Sequence, residues 1–263
     1  MELSLKNKNV LVTASSMGIG RVTAEMFLSE GANVVICSRN KEQLAITSEE
    51  IRHAYGKEPI WEVCDLDKLA DIENMMKFCE SNLGSIDILV NNCGGPRPGF
   101  FEELNETDWQ NGFNQVLLSA VRFSKLVLPG MIKNNWGRII NVTSISVKQP
   151  IDNLILSNSF RSALTAMSKT ISSQVGKHNI TINNVAPGYT LTQRLYDISA
   201  SRAKVSGESQ EDILIKMAND VPMKRLANPE EVASLIVYLA SEIAGYITGT
   251  TIPVDGGITK STY

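Results

Sequence analysis

Residues 9–21 read Asn-Val-Leu-Val-Thr-Ala-Ser-Ser-Met-Gly-Ile-Gly-Arg (NVLVTASSMGIGR). A short apolar run bounded by small residues has the length of a buried strand. The loop that follows is small and glycine-bearing, and an amphipathic pattern over 19–30 then closes at Gly31. Strand, small-residue loop, helix is the layout in which backbone N–H groups and a helix N-terminus receive a diphosphate. Gly18 and Gly20 permit close approach of backbone and tight helix packing. Ser15 and Ser16 carry hydroxyls that can donate to phosphate oxygens. A tight strand–helix turn would explain a lone Gly-x-Gly equally well, so the rest of the chain must decide.

Working outward, the same alternation repeats. Apolar runs at 33–37, 59–63, 86–90, 138–143, 181–186 and 250–254 read as strands. Between them lie helical patterns at about 41–55, 68–83, 107–133, 157–176 and 229–241. The 107–133 helix is expected to bend or end near Pro129-Gly130, and the last helix opens on Asn228-Pro229-Glu230. Over 157–176, Phe160, Leu164, Met167, Ile171 and Val175 share a helical face. Continuous apolar strands separated by helices predict one α/β domain spanning 1–263: a doubly wound parallel sheet with helices on both faces. Residues 192–220 are polar and weakly periodic, and read as two short helices forming a lid.

The bulk numbers exclude several classes. At 263 residues, 43% hydrophobic, the chain can bury a full core without staples. A formal charge of −3 gives no global field for nucleic acid or an anionic membrane. Cys37, Cys64, Cys79 and Cys93 form no C-x-x-C pair, and His53 and His178 lie far apart, so no metal site is expected. Buried thiols and the absence of a leader pattern or an apolar run of membrane length point to a cytoplasmic protein.

The end of the second strand carries Ser38-Arg39-Asn40. A carboxylate there would take the ribose 2′-hydroxyl of NAD and repel a 2′-phosphate; hydroxyl, guanidinium and amide favour NADP(H) over NAD(H).

Further motifs fall in order along the chain: Thr13, Gly18, Ile19 and Gly20 in the first loop, Asp65 after the third strand, and Asn91-Asn92-Cys93-Gly94 after the fourth. Asn141-Val142-Thr143-Ser144, Pro187-Gly188 and the tail ITGTTIPVDGG (247–257) complete the set. In these residues the chain resembles the short-chain dehydrogenase/reductase family, most broadly its 3-oxoacyl-thioester reductases and glucose dehydrogenases. The resemblance implies a seven-stranded Rossmann-type sheet and a nicotinamide cofactor. It implies that Asp65 and Leu66 touch the adenine, that Asn92, Cys93 and Gly94 line the ribose, and that Pro187, Gly188, Tyr189, Thr190 and Thr192 border the nicotinamide. A homotetramer, or a homodimer, follows from the same likeness, with the helices at 107–133 and 157–176 pairing between subunits. Ala14 stands where the family has its first loop glycine.

The departures are chemical. The family reduces carbonyls with a Tyr acid, a Lys four residues later, a Ser that orients the carbonyl and an Asn that holds a relay water. Ser144 keeps the serine; the spacing then puts Ser157 in the Tyr place, Arg161 in the Lys place and Val116 in the Asn place, with Asn114 nearby. A serine hydroxyl is a poor acid near neutrality, and an arginine does not deprotonate. The candidate catalytic set is therefore Ser144, Ser157 and Arg161, with Arg161 holding cofactor ribose or substrate charge. Tyr189, Tyr196 and Lys148 are packing residues or substitute donors. Arg97, in Gly94–Gly99, either stiffens a loop or meets an anionic substrate at the mouth. Two functions stay open: an NADP-preferring oxidoreductase interconverting carbonyl and alcohol on a small molecule, or an NADP(H)-binding sensor or structural protein with little turnover.

Overall fold

In the computed structural model, which describes residues 2–262, seven parallel strands run in the order β3-β2-β1-β4-β5-β6-β7. They are β1 Asn9–Val12, β2 Asn33–Ser38, β3 Ile60–Val63, β4 Ile88–Asn91, β5 Gly137–Val142, β6 Ile180–Pro187 and β7 Thr251–Val254. Helices α1 Gly18–Ser29 and α2 Lys41–Tyr55 connect the first three strands, and α3 Leu69–Leu83 leads to β4. Next come α4 Glu106–Gly112, a π-helical turn Phe113–Leu118, α5 Ser119–Lys133 and α6 Ile155–Val175. Then follow α7 Gln193–Ser206, α8 Gln210–Asp220 and α9 Pro229–Leu239.

Alternation along each strand divides the core in two. Val10, Val12, Val34, Ile36 and Val90 face a layer that holds Phe27 of α1 and Val232, Ile236 and Leu239 of α9. Leu11, Val35, Leu89, Ile139 and Ile182 face the other, with Met75 of α3 and Phe123, Val127 and Met131 of α5. Covering on both faces explains why the central strands carry near-continuous apolar runs.

The helix ends follow the local chemistry. Asn40 caps α2 by accepting from the Gln43 N–H at 3.0 Å, and Gly56, at φ 67°, closes it. Pro229 opens α9 inside a capping box in which Glu231 accepts from the Asn228 N–H at 2.9 Å.

Two helix expectations are corrected. Pro129 does not end its helix, because α5 continues to Lys133. The irregularity lies earlier, in the π turn at 113–118. The run Glu106–Lys133 is long and apolar enough, by length and composition, to cross a membrane. Here its residues Val116, Phe123, Val127 and Met131 are buried in the protein.

On α6 the buried row is Leu156, Ser157, Arg161, Leu164, Ser168, Ser172 and Val175. Phe160, expected on that face, instead meets Trp109 and Phe113 edge-on, with ring centroids 5.8 and 6.0 Å away. The polar members of the row are buried because partners wait for them. Ser168 Oγ donates to Asn184 Oδ1 at 2.8 Å, and Asn141 Nδ2 donates to Ser168 Oγ at 2.9 Å. Asn91 Nδ2 donates to Asn141 Oδ1 at 2.8 Å, so a polar line crosses β4, β5 and β6 within the sheet.

Candidate active site

The strands of a doubly wound sheet all end on one edge, and the crevice there is where such folds hold ligands. A cavity of about 440 Å³ opens along that edge. Its lining comes from the loops after the first six strands, β1 to β6.

At one end Ser16, Gly18 and Ile19 line the cavity. Met17, the residue before α1, offers no side-chain cap, and the first turn of α1 has no acidic residue. The N–H groups of that turn are therefore left for an outside acceptor, as a diphosphate requires. Gly18 sits at φ 58°, and a Cβ on it would come 3.3 Å from Thr192 Cγ2. Gly20 is closed in further: a Cβ there would lie 2.6 Å from Asn92 Nδ2 and 2.8 Å from the Ala14 carbonyl oxygen. Ala14 itself is held at φ 46°, a region that costs a residue with a Cβ.

Three residues expected at the cavity face inward. Ser15 is fully buried; its Oγ donates to the Val12 carbonyl at 2.6 Å and accepts from the Cys37 N–H at 3.2 Å. It ties the loop to β2 and has no hydroxyl to spare for phosphate. Thr13 Oγ1 donates to the Asn92 carbonyl at 2.6 Å and accepts from the Asn92 N–H at 2.9 Å, pinning β1 to the loop after β4. Gly20 sits beneath the loop, where its value is the space it leaves.

Along the middle, Ser38, Arg39 and Asn40 line the cavity at the end of β2, and Asp65 and Leu66 at the end of β3. Arg39 is exposed at the mouth. Asp67 joins them: burial and the neighbouring Asp65 raise its pKa, while Arg39 and Arg122 oppose the shift. Asn92, Cys93 and Gly94 follow, with Asn92 Nδ2 donating to the Ala14 carbonyl at 2.9 Å.

At the far end the cavity meets Ser144, Ser157 and Arg161, together with Pro187, Gly188, Tyr189, Thr190 and Thr192. Arg161 is only 6% exposed and heavily engaged. Its Nη1 donates to the carbonyls of Val142 at 2.7 Å and Thr143 at 3.0 Å, and its Nε donates to Ser157 Oγ at 3.2 Å. Nη2 has the Cys93 sulfur at 3.8 Å. Ser157 Oγ also lies 3.5 Å from Ser146 Oγ. Ser144 Oγ accepts from the Ser146 N–H at 3.1 Å, which leaves its own proton directed elsewhere. All three residues of the candidate set border this one cavity, and Arg161 ties Ser157 to the end of β5 from which Ser144 follows.

Two cavity residues were not found by spacing. Gln115 lines the cavity, 3.1 Å from where a Cβ on Gly94 would sit, while Val116 is buried at 1% exposure. Gln115 and Val116 both lie in the π turn at 113–118, and it is Gln115 that borders the cavity. Asn114 points away and accepts from Gln110 Nε2 at 3.2 Å. The second residue is Arg194, in the first turn of α7. Its Nη2 donates to the Pro96 carbonyl at 2.8 Å, and burial together with the charge of Arg161 lowers its pKa.

Of the two readings of Arg97, the structure favours the loop: it pairs with Asp108 at 2.7 Å and does not line the cavity. Tyr196 is 41% exposed and does not line the cavity, nor does Lys148; Tyr189 does.

Comparison with known proteins agrees with this layout. The family model described as enoyl-(acyl carrier protein) reductase matches residues 13–259. The chain is 34% identical to the uncharacterized oxidoreductase YvrD of Bacillus subtilis over 99% of this chain and 100% of that protein. It is 31% identical to the 3-oxoacyl-[acyl-carrier-protein] reductase of Aquifex aeolicus, over 98% of this chain and 100% of the relative. Among solved structures, the L-sorbose reductase of Gluconobacter frateurii, complexed with NADPH and L-sorbose, superimposes with a TM-score of 0.94. That match has 32% identity and covers 99% of this chain and 100% of the other.

Proposed function

The chain belongs to the short-chain dehydrogenase/reductase family and is a nicotinamide-dependent oxidoreductase; from that premise we propose that it prefers NADP(H) and interconverts a carbonyl and an alcohol on a small molecule, at a site rebuilt without the Tyr–Lys pair. One observation carries the reading. A single cavity runs from the uncapped N-terminus of α1, past Arg39, to Ser144, Ser157 and Arg161.

The cofactor supplies or takes up a hydride. Gly18, Ile19 and the first N–H groups of α1 would hold its diphosphate. Ser38, Arg39 and Asn40 would take a 2′-phosphate, and Asp65 and Leu66 would border the adenine. Asn92, Cys93 and Gly94 would line the ribose, and Pro187 to Thr192 the nicotinamide. Thr13, Ser15 and Gly20 act one layer below, by fixing the loop.

At the reacting end Ser144 presents a hydroxyl to the substrate oxygen, and Arg161 adds fixed positive charge that stabilises negative charge developing there. Ser157 accepts from Arg161 and so keeps its O–H as a donor. Neither residue is an acid matched to neutral pH, so the proton is drawn from water reaching the cavity. The α7–α8 pair, packed through Leu195, Ile213 and Met217, covers this end as a lid. Exposed Leu126 and Ile132 on α5 support assembly through that helix, as a dimer or tetramer.

Titrating NADPH and NADH by tryptophan fluorescence tests the cofactor: tighter NADPH binding is expected, and equal or weaker binding overturns the preference. Screening ketones, sugars and acyl thioesters with NADPH tests turnover. The engagement of Arg161 with main-chain carbonyls favours the second reading, a sensor with little turnover, if Ser157→Tyr/Arg161→Lys gains an activity that the natural chain lacks.

A further inference from the structure

Two guanidinium groups meet the far end of the cavity, and neither has a carboxylate within salt-bridge distance. Arg161 and Arg194 both line it, and among the described residues neither makes a salt bridge. The nearest acid in sequence, Asp197, accepts from Gln193 Nε2 at 3.0 Å and favours the Arg194 cation only at a distance, without pairing with it. The acids that do line the cavity, Asp65 and Asp67, belong to its β3 end.

The two arginines are not equivalent. Arg161 spends Nε and Nη1 on the protein, which leaves Nη2 with only a sulfur at 3.8 Å. Arg194 spends one bond, on the Pro96 carbonyl. Its guanidinium lies flat on Gly95, so a Cβ there would come 2.6 Å from Nε and Nη2. The start of α7 adds to the field: Thr192 makes no side-chain cap and the first turn holds no acidic residue. Keeping two positive charges close together and half desolvated is costly unless a negative charge joins them.

We propose that the substrate is a carbonyl compound carrying a carboxylate, gripped by Arg194 and Nη2 of Arg161, with Arg194 as the specificity-determining residue. This rests on the proposed oxidoreductase reading and names the substrate class for that site. Arg194 offers the planar fork that matches a carboxylate, and Arg161 the second positive charge that fixes its position. Gly95 is the condition for the grip, because a side chain there would push the fork aside.

The test uses the full chain saturated with NADPH and three 2-oxo acids of increasing length: pyruvate, 2-oxobutanoate and 2-oxo-4-phenylbutanoate. Each is compared with its ethyl ester. NADPH consumption gives kcat/KM; the melting temperature of the NADPH complex reports binding without turnover. At least one acid is expected to exceed its ester by roughly 10- to 100-fold in kcat/KM, or to be the sole member of its pair that raises the melting temperature. Arg194→Met should raise KM for that acid by roughly 30-fold and leave the NADPH dissociation constant within about twofold. Gly95→Ala, which keeps every charge but displaces the fork, should give a smaller loss of the same kind. Esters acted on as well as acids, or no response to any acid, overturn the inference while the NADPH titration still judges the oxidoreductase reading. Weaker NADPH binding in Arg194→Met, with KM for the acid unchanged, also overturns it and assigns Arg194 to the cofactor diphosphate.

Discussion

Replacing Arg161 with Met sets two large effects against each other. Arg161 donates to the Val142 and Thr143 carbonyls at 2.7 and 3.0 Å and to Ser157 Oγ at 3.2 Å. Charge-assisted bonds of this kind are worth about 1.5–3 kcal/mol each, and Met supplies none of them. Against this, a cation that is 6% exposed and lacks a carboxylate has a desolvation cost that Met removes. Because the guanidinium borders an open cavity, that relief is partial, and the bonds prevail by about 2 kcal/mol. A chain of 263 residues unfolds with an entropy of about 0.55 kcal/mol/K, so the melting temperature should fall by about 4 °C. Arg161→Lys, with one ammonium to reach two carbonyls, should fall between wild type and Met. Urea denaturation and thermal melting both read the difference. A Met variant as stable as wild type, or more so, would refute the reasoning: the bonds to β5 would then be worth less than the buried charge costs.

Ala14→Gly should stabilise the chain by about 1 kcal/mol, because Ala14 sits at φ 46° where a Cβ is strained; a lower melting temperature contradicts this. Gly20→Ala should destabilise by about 1–3 kcal/mol and weaken NADPH binding, since its Cβ would lie 2.8 Å from the Ala14 carbonyl and 2.9 Å from Ser15 Cα, backbone that has little room to move. Glu231 has its pKa held down to about 2 by the Arg225 guanidinium and the Asn228 N–H. Its contribution is present above the unfolded carboxylate value and fades as pH falls towards 2, so Glu231→Gln should lower the melting temperature at pH 7 and make no difference near pH 2. A gap of equal size at both pH values would assign the effect to packing instead.

The strands were legible because the central ones are buried on both faces and carry apolar runs, with the polar Asn141 and Asn184 inside them bonded to each other. Helix α9 was legible because Asn228-Pro229-Glu230-Glu231 is capping chemistry written locally. The inner face of α6 was misread because Phe160 and Met167 carry more apolar signal than Ser168, which is partnered by Asn184 of β6, and Ser172, which donates to the Lys169 carbonyl one turn back. Ser15 was placed at the cavity because a hydroxyl in a phosphate loop is ambiguous until its acceptor, the Val12 carbonyl, is known. Arg97 stood as a candidate for the mouth and Arg194 went unnoticed for a similar reason. Both are loop or helix-start arginines, and what separates them is that Asp108 lies within reach of the first.

The π turn at Phe113–Leu118 has a consequence for how such a protein changes over generations. A π turn is one surplus residue taken up inside a helix: losing it restores the α-helical geometry locally while both flanks keep their register. The side chain offered to the cavity then changes from Gln115 to a neighbour while Trp109 and Phe123 keep their seats. A lineage can thus exchange an amide for a hydrocarbon at its reaction centre by slipping one notch, with no substitution at the position itself.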